Sequence, residues 1–200
     1  KYQHDFTAKQ ALRTRAFWSI SISHALTNLS VGAVSAHIFF QLTDPNGVNL
    51  SDTSAATIIP IMALSSFSFQ IIGGFMGDRV SKRAIVPILI LLQALSLVLL
   101  SAAVGYVGAL AFALIWGIGF GGRTPILHAM RGDYFGRKHF GVILGMSAVP
   151  MAIGMMATPV IVGRVYDNTG SYDSSLFTLA GSCVIAAATI LLATKPATPK

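Results

Sequence analysis

The sequence predicts an all-α membrane protein with six transmembrane helices. Hydrophobic residues make up 54% of the 200-residue chain and charged residues only 10%, whereas a soluble domain carries roughly 25% charged residues. The charges stand in short blocks between runs that contain no Asp, Glu, Lys or Arg: 16–43, 53–77, 84–122, 139–163 and 174–194. Because a helix needs about 20 apolar residues to cross the hydrocarbon core, four of these runs fit one crossing each.

The longest run, 84–122, fits two crossings, because the turn-compatible sequence Gly105-Tyr-Val-Gly108 interrupts it. A six-helix bundle is therefore predicted over 17–194, with a juxtamembrane segment at 1–16 and a tail at 195–200. Two hundred residues leave too little polar chain to cover such helices in water. The predicted spans are 17–41, 54–77, 85–104, 109–130, 140–162 and 172–193.

The distribution of basic residues predicts the topology. The net charge is +7, and when the spans are set on the chain only Arg164 among the basic residues falls on the side that carries Asp44, Asp52, Asp167 and Asp173. By the positive-inside rule, both termini and the loops near 78–83 and 131–138 are expected on the cytoplasmic side of an inner or plasma membrane. The basic charge then indicates contact with anionic lipid headgroups rather than with nucleic acid.

Polar groups inside the spans are the candidates for a substrate site, because they are costly in the membrane. Span one carries Ser21, His24, Asn28 and Ser35 at spacings of three, four and seven, which places them on one stripe of a helix. Span two offers Ser66 and Gln70 one turn apart. Substrate-binding candidates are His24, Asn28, Ser66 and Gln70; the alternative is interhelical hydrogen bonding, worth about 0.6 kcal/mol each.

Arg123 is the one charge placed inside a predicted span, and it is also a substrate-binding candidate. In a cavity it would pair with an anionic solute; the alternatives are an anchor that snorkels to the cytoplasmic surface, or a structural ion pair. The glycine run 117–122 before it is interpreted as a close helix contact or a bend at Pro125, since a dinucleotide fingerprint requires a preceding strand. The chain has no glutamate and no His/Cys/Asp cluster with metal spacing, so we expect neither an enzyme nor a cofactor.

Three loops resemble one transporter superfamily. Gly74-x-x-x-Asp78-Arg79-x-x-Lys82-Arg83 resembles the Gly-x-x-x-Asp-Arg-x-Gly-Arg-Arg loop of the major facilitator superfamily, with Ser81 in place of the glycine. The stretch 131–141 looks like the loop between helices ten and eleven in the monocarboxylate and oxalate:formate-like branch, and 163–172 looks like its last external loop. The resemblance implies a 3+3 inverted repeat that forms helices seven to twelve, the carboxyl-terminal half of a twelve-helix fold.

That resemblance implies secondary active transport of a small solute by alternating access, with an amino-terminal six-helix half as partner. The candidate solute is an organic anion such as a monocarboxylate, coupled to a proton or a counter-anion. Anion carriers of the branch place basic residues in helices eight and eleven, whereas spans two and five here have none. The chain begins with Lys rather than Met, and we expect it to be a segment of a longer protein.

The basic loop is a candidate gate. Asp78 would lie near the start of span five at Phe140, where the helix dipole favours negative charge, with Arg79 and Arg137 around it. The alternative is that these charges only set the topology. The gating candidates are Gly74, Asp78, Arg79, Lys82, Arg83, Asp133 and Arg137. A different class, an oligomeric six-helix channel or membrane assembly subunit, would need a pore-lining filter or a helix of repeated arginines, and neither is visible.

Overall fold

Six long helices make up the computed structural model, which describes residues 5–197. Each is long and apolar enough to cross a membrane, and no strand occurs among the described residues. A short helix, Ala8–Leu12, precedes them. The predicted all-α membrane fold with six spans is confirmed. Spans one to six are Arg15–Thr43, Asp52–Arg79, Lys82–Ser101, Gly105–Phe135, Phe140–Thr169 and Asp173–Leu191.

Several helices continue past the predicted span limits. Span four ends at Phe135 rather than near residue 130, and span five ends at Thr169 rather than near 162. Both predicted ends lie just before a charged residue, Arg131 or Arg164. A helix keeps its backbone hydrogen bonds where it leaves the hydrocarbon, so charged residues do not end it. The break between spans three and four lies at 102–104, and Gly105 follows with a left-handed φ of 65°.

The helix contacts have an internal symmetry. Span one packs mainly against spans five and six, span two against span four, and span three against spans four and six. If span one is exchanged with span four, span two with span five and span three with span six, each of these contacts becomes another contact of the same set or stays the same. This is the pattern of a 3+3 inverted repeat, in which two three-helix units are related by a two-fold axis in the membrane plane.

Spans two and five are the least covered helices. Only 17% of the apolar stretch of span two and 11% of that of span five is buried, against 44% or 50% for the other four. Large apolar side chains such as Phe67, Phe75, Ile153 and Met156 face outward there. The uncovered faces of these two spans must therefore meet lipid or another helical unit.

A wide turn and a series of glycines bring span two close to span four. Gly117–Gly121 forms a π-helical turn within span four. A Cβ atom on Gly117 or Gly121 would collide with Ser65 or Ser66 of span two, and one on Gly73 would collide with the backbone of Gly122. The glycine run therefore serves close helix packing, one of the two functions expected from the sequence.

Candidate functional site

Span four carries two arginines into the interior of the bundle. Arg123 is 0% and Arg131 1% exposed, and the two lie about two helical turns apart. Neither forms an ion pair with a carboxylate anywhere in residues 5–197, where the one salt bridge found joins Lys82 and Asp133 near the surface. Both guanidinium groups are therefore surrounded by neutral side chains and backbone. We call these two residues and their polar neighbours the arginine cluster.

Arg123 is connected to spans one and three through a buried glutamine. Its Nε donates to Oε1 of Gln93 at 2.7 Å, and its guanidinium carbon lies 5.5 Å from the ring centre of Phe120. Gln93 Nε2 in turn donates to Oγ of Ser30 at 2.8 Å and to the carbonyl of Thr27 at 3.2 Å. Both terminal nitrogens of Arg123, Nη1 and Nη2, are buried without a hydrogen-bond partner.

Arg131 joins spans one and five. Its Nη2 lies 3.0 Å from Nδ1 of His24 and donates to Oγ of Ser147 at 2.9 Å, while its Nε is buried without a partner. The Ser147 hydroxyl also meets the hydroxyl of Ser21 at 2.8 Å. Because a guanidinium can only donate, Nδ1 of His24 must accept, and this His24 ring is therefore neutral with its proton on Nε2.

His128 lies between the arginine cluster and an open cavity. Its ring meets that of His24 edge to face at a centroid distance of 5.8 Å, and its Nδ1 is buried without a partner. The same residue lines a cavity of about 470 Å³ at the end of the bundle that carries Lys82 and Asp133. His128 therefore connects the wall of this cavity with the arginine cluster.

The structure separates the residues that the sequence analysis grouped as a substrate site. His24 and Arg123 belong to the arginine cluster. Asn28 is buried, and its side chain donates to the carbonyl of His24 in its own helix at 2.7 Å. Ser66 donates to the carbonyl of Met62, one turn back in span two, and Gln70 is exposed on the outer face of that span. Ser35, the last residue of the expected stripe, is exposed as well.

Two expectations about arginines are wrong. Arg123 neither snorkels to the surface nor joins an ion pair, because Gln93 and Phe120 hold its side chain inside the bundle. Arg131 does not lie in a loop, because span four continues to Phe135 and turns this side chain inward. Gln93, Ser147 and His128 were not predicted from the sequence as neighbours of the arginine cluster. One available signal was the eight-residue spacing of Arg123 and Arg131, about two turns of a helix.

The residues of the candidate gate lie around the open cavity and at its margin. Asp78, Lys82, Asp133 and Arg137 line it together with Phe140, the first residue of span five. Lys82 Nζ and Asp133 Oδ2 form a salt bridge of 2.8 Å across it.

Three gate candidates lie outside this cavity. Arg83 Nε donates to the carbonyl of Leu191 at 2.9 Å, at the end of span six. Arg79 and Gly74 are exposed, and neither lines the cavity. The expected group of Asp78, Arg137 and the start of span five thus shares one cavity, without Arg79.

The fold and the cluster define a multi-pass membrane protein whose strongest polar feature is buried among its spans. Residues 11–200 match the family described as the Major Facilitator Superfamily, and the chain belongs to that family. No curated protein matches the chain. Membership of this family indicates a membrane transporter that handles a small-molecule solute, and the family is not enzymatic in general.

Proposed function

We propose that the chain is the carboxyl-terminal half of a secondary transporter that moves a small organic anion by alternating access. The observation that carries this proposal is the pair of buried arginines without a carboxylate partner. A monocarboxylate is the simplest solute of this class, and the arginine cluster would bind it.

The electrostatics of the cluster favour an anionic solute. A charge at the centre of a span costs about 2.5–3.5 kcal/mol on the insertion scale. Arg123 and Arg131 place two buried charges inside one bundle, with Arg131 nearer the end of its span. Three of their nitrogens have no acceptor. A carboxylate would accept from several of these N–H groups at once and offset the charge, since guanidinium and carboxylate form paired hydrogen bonds.

The open cavity supplies a path for that solute. Lys82, His128 and Arg137 give its wall basic groups beside the carboxylates of Asp78 and Asp133. His128 also stands next to His24 in the cluster. The imidazole of His24 contacts Arg131, and that of His128 packs against His24. These histidines support a proton as the coupled ion, with a counter-anion as the alternative.

The uncovered faces of spans two and five are where we place the amino-terminal half. Alternating access needs a second helical unit that rocks against the first, and these are the two spans with the least buried surface. The positive-inside rule places both ends of the chain and the cavity on the cytoplasmic side.

The cavity wall also supports a latch. Asp78 and Arg137 line it together with Phe140 at the start of span five, where a helix N-terminus favours a negative charge. A carboxylate held there would favour the state that is closed to the cytoplasm, and its release would shift the equilibrium between the two states.

Solute counterflow in proteoliposomes tests the transport proposal with the complete protein. Vesicles loaded with an unlabelled monocarboxylate should accumulate the labelled solute transiently, which a carrier does and a channel does not. Arg131→Gln and Arg123→Gln should each lower the initial rate at least about tenfold, the effect of about 1.4 kcal/mol.

Arg164→Gln is the matched control, because Arg164 is an exposed arginine that belongs neither to the arginine cluster nor to the wall of the open cavity. Its rate should stay within about twofold of the unchanged protein. The absence of counterflow with any organic anion, or equal rates in all three variants, would refute the anion proposal. A steady current without counterflow would favour the channel.

A further inference from the structure

A basic and apolar groove lies at the end of the bundle where span one begins. It has a volume of about 740 Å³ and lies between spans one, three and six. Three arginines line it, and within residues 5–197 no acidic residue does. This groove is separate from the cavity that contains His128, and it shares no residue with the arginine cluster.

The three arginines come from two helix starts. Arg13 and Arg15 are exposed and flank Thr14, which caps span one by accepting from the backbone N–H of Phe17 at 3.2 Å. Arg83 comes from the first turn of span three, and its guanidinium is fixed on the carbonyl of Leu191 at the end of span six. The groove therefore concentrates positive charge, and in the part of the chain that the structure describes its wall holds no carboxylate to neutralise it.

The rest of the wall is apolar and open. Trp18, Ile22 and Leu192 are 49%, 43% and 68% exposed. The indole of Trp18 is held in place, because its Nε1 donates to the carbonyl of Leu12 at 2.9 Å. An amphipathic aromatic ring at the end of a span is typical of the membrane–water interface, so the groove extends from the headgroup level into the hydrocarbon.

We propose that this groove binds an anionic phospholipid. The phosphate of the headgroup would lie among Arg13, Arg15 and Arg83, and the upper acyl chain would lie against Trp18, Ile22 and Leu192. The apolar half of the wall favours a lipid over a free phosphate, since a soluble anion would leave Trp18 and Leu192 uncovered. The proposal does not depend on which solute the protein transports.

Quenching of Trp18 by brominated lipids tests the site in vesicles of the complete protein. The signal of Trp18 is the fluorescence lost in the Trp18→Phe variant. Brominated phosphatidylglycerol should quench this signal with at least about fivefold preference over brominated phosphatidylcholine, the effect of about one arginine near an anionic membrane surface. Arg13→Gln and Arg15→Gln should each reduce the preference about twofold, and the double variant should abolish it.

Arg137→Gln removes the same charge at the same end of the bundle, but outside the groove, and should leave the preference intact. Equal quenching by both lipids in the unchanged protein would overturn the proposal. An equal loss of the lipid preference in Arg137→Gln would also overturn it, because the preference would then come from the general surface charge of the protein. Competition by soluble glycerol phosphate would identify a free-anion site instead. Lipid preference in a protein that shows no counterflow would leave this site standing and refute the transport proposal alone.

Discussion

Span four and the adjoining ends of spans two and three both carry arginines, in opposite environments. Arg123 and Arg131 are buried among neutral hydrogen-bond acceptors, whereas Arg79 and Arg83 are exposed at the end of the bundle. An exposed guanidinium keeps its hydration, but a buried one depends on each acceptor that replaces water. A neutral residue such as Gln93 should therefore contribute more to the free energy of unfolding than the ion pair of Lys82 and Asp133 at the surface.

The largest effect is expected from a substitution beside the buried arginines. Gln93→Leu removes the acceptor of Arg123 Nε, leaving a third nitrogen of that guanidinium unpartnered. We expect a loss of about 2–3 kcal/mol in the free energy of unfolding, the cost of an unsatisfied buried charged donor. Chemical unfolding in detergent measures it.

Gln70→Leu is the matched control, since Gln70 is exposed on span two. It should change the free energy of unfolding by less than about 0.5 kcal/mol. Similar losses in the two variants would mean that burial does not distinguish the two glutamines.

A smaller effect is expected from the latch at the rim of the cavity. Asp78→Asn removes the negative charge that we place near the start of span five, where a carboxylate contributes about 0.3–1 kcal/mol. The accessibility of the cavity, read as the rate of thiol labelling of Ala129→Cys in its wall, should rise about twofold to fivefold.

Asp173→Asn serves as control, because Asp173 lies in the first turn of span six, away from this cavity. Its labelling rate should not change. An unchanged labelling rate in Asp78→Asn would refute the latch. The charges near residues 78–83 would then serve only to set the topology.

The smallest effect belongs to the exposed ion pair. Lys82→Ala breaks the 2.8 Å contact with Asp133, whose side chain is 52% exposed. We expect a loss of about 0.5 kcal/mol or less, because solvent and salt screen such pairs. Unfolding at low and at high salt measures it, and a loss as large as that of Gln93→Leu would contradict the comparison.

The sequence predicts the number of spans well, because length without charge is a strict requirement of the hydrocarbon core. It also places His24 and Arg123 among the candidate residues. Arg131 was not predicted as a site residue, because it stands beside Gly132 and Asp133 in a stretch that looks like a loop. Only its contacts with His24 and Ser147 show that its side chain points inward. Gln93 escaped for a related reason: its importance comes from Arg123, thirty residues away in the chain.

The π-helical turn at Gly117–Gly121 has a geometrical consequence for everything that follows it in span four. Such a turn holds one residue more than an α-helical turn, and each residue of a helix adds about 100° of rotation about its axis. The additional residue therefore sets the direction, around the helix axis, in which Arg123 and Arg131 point relative to Trp116. Moving it past the two arginines would rotate both guanidinium groups together by about a quarter of a revolution and shift them by about 1.5 Å along the axis, while the two ends of span four stay in place.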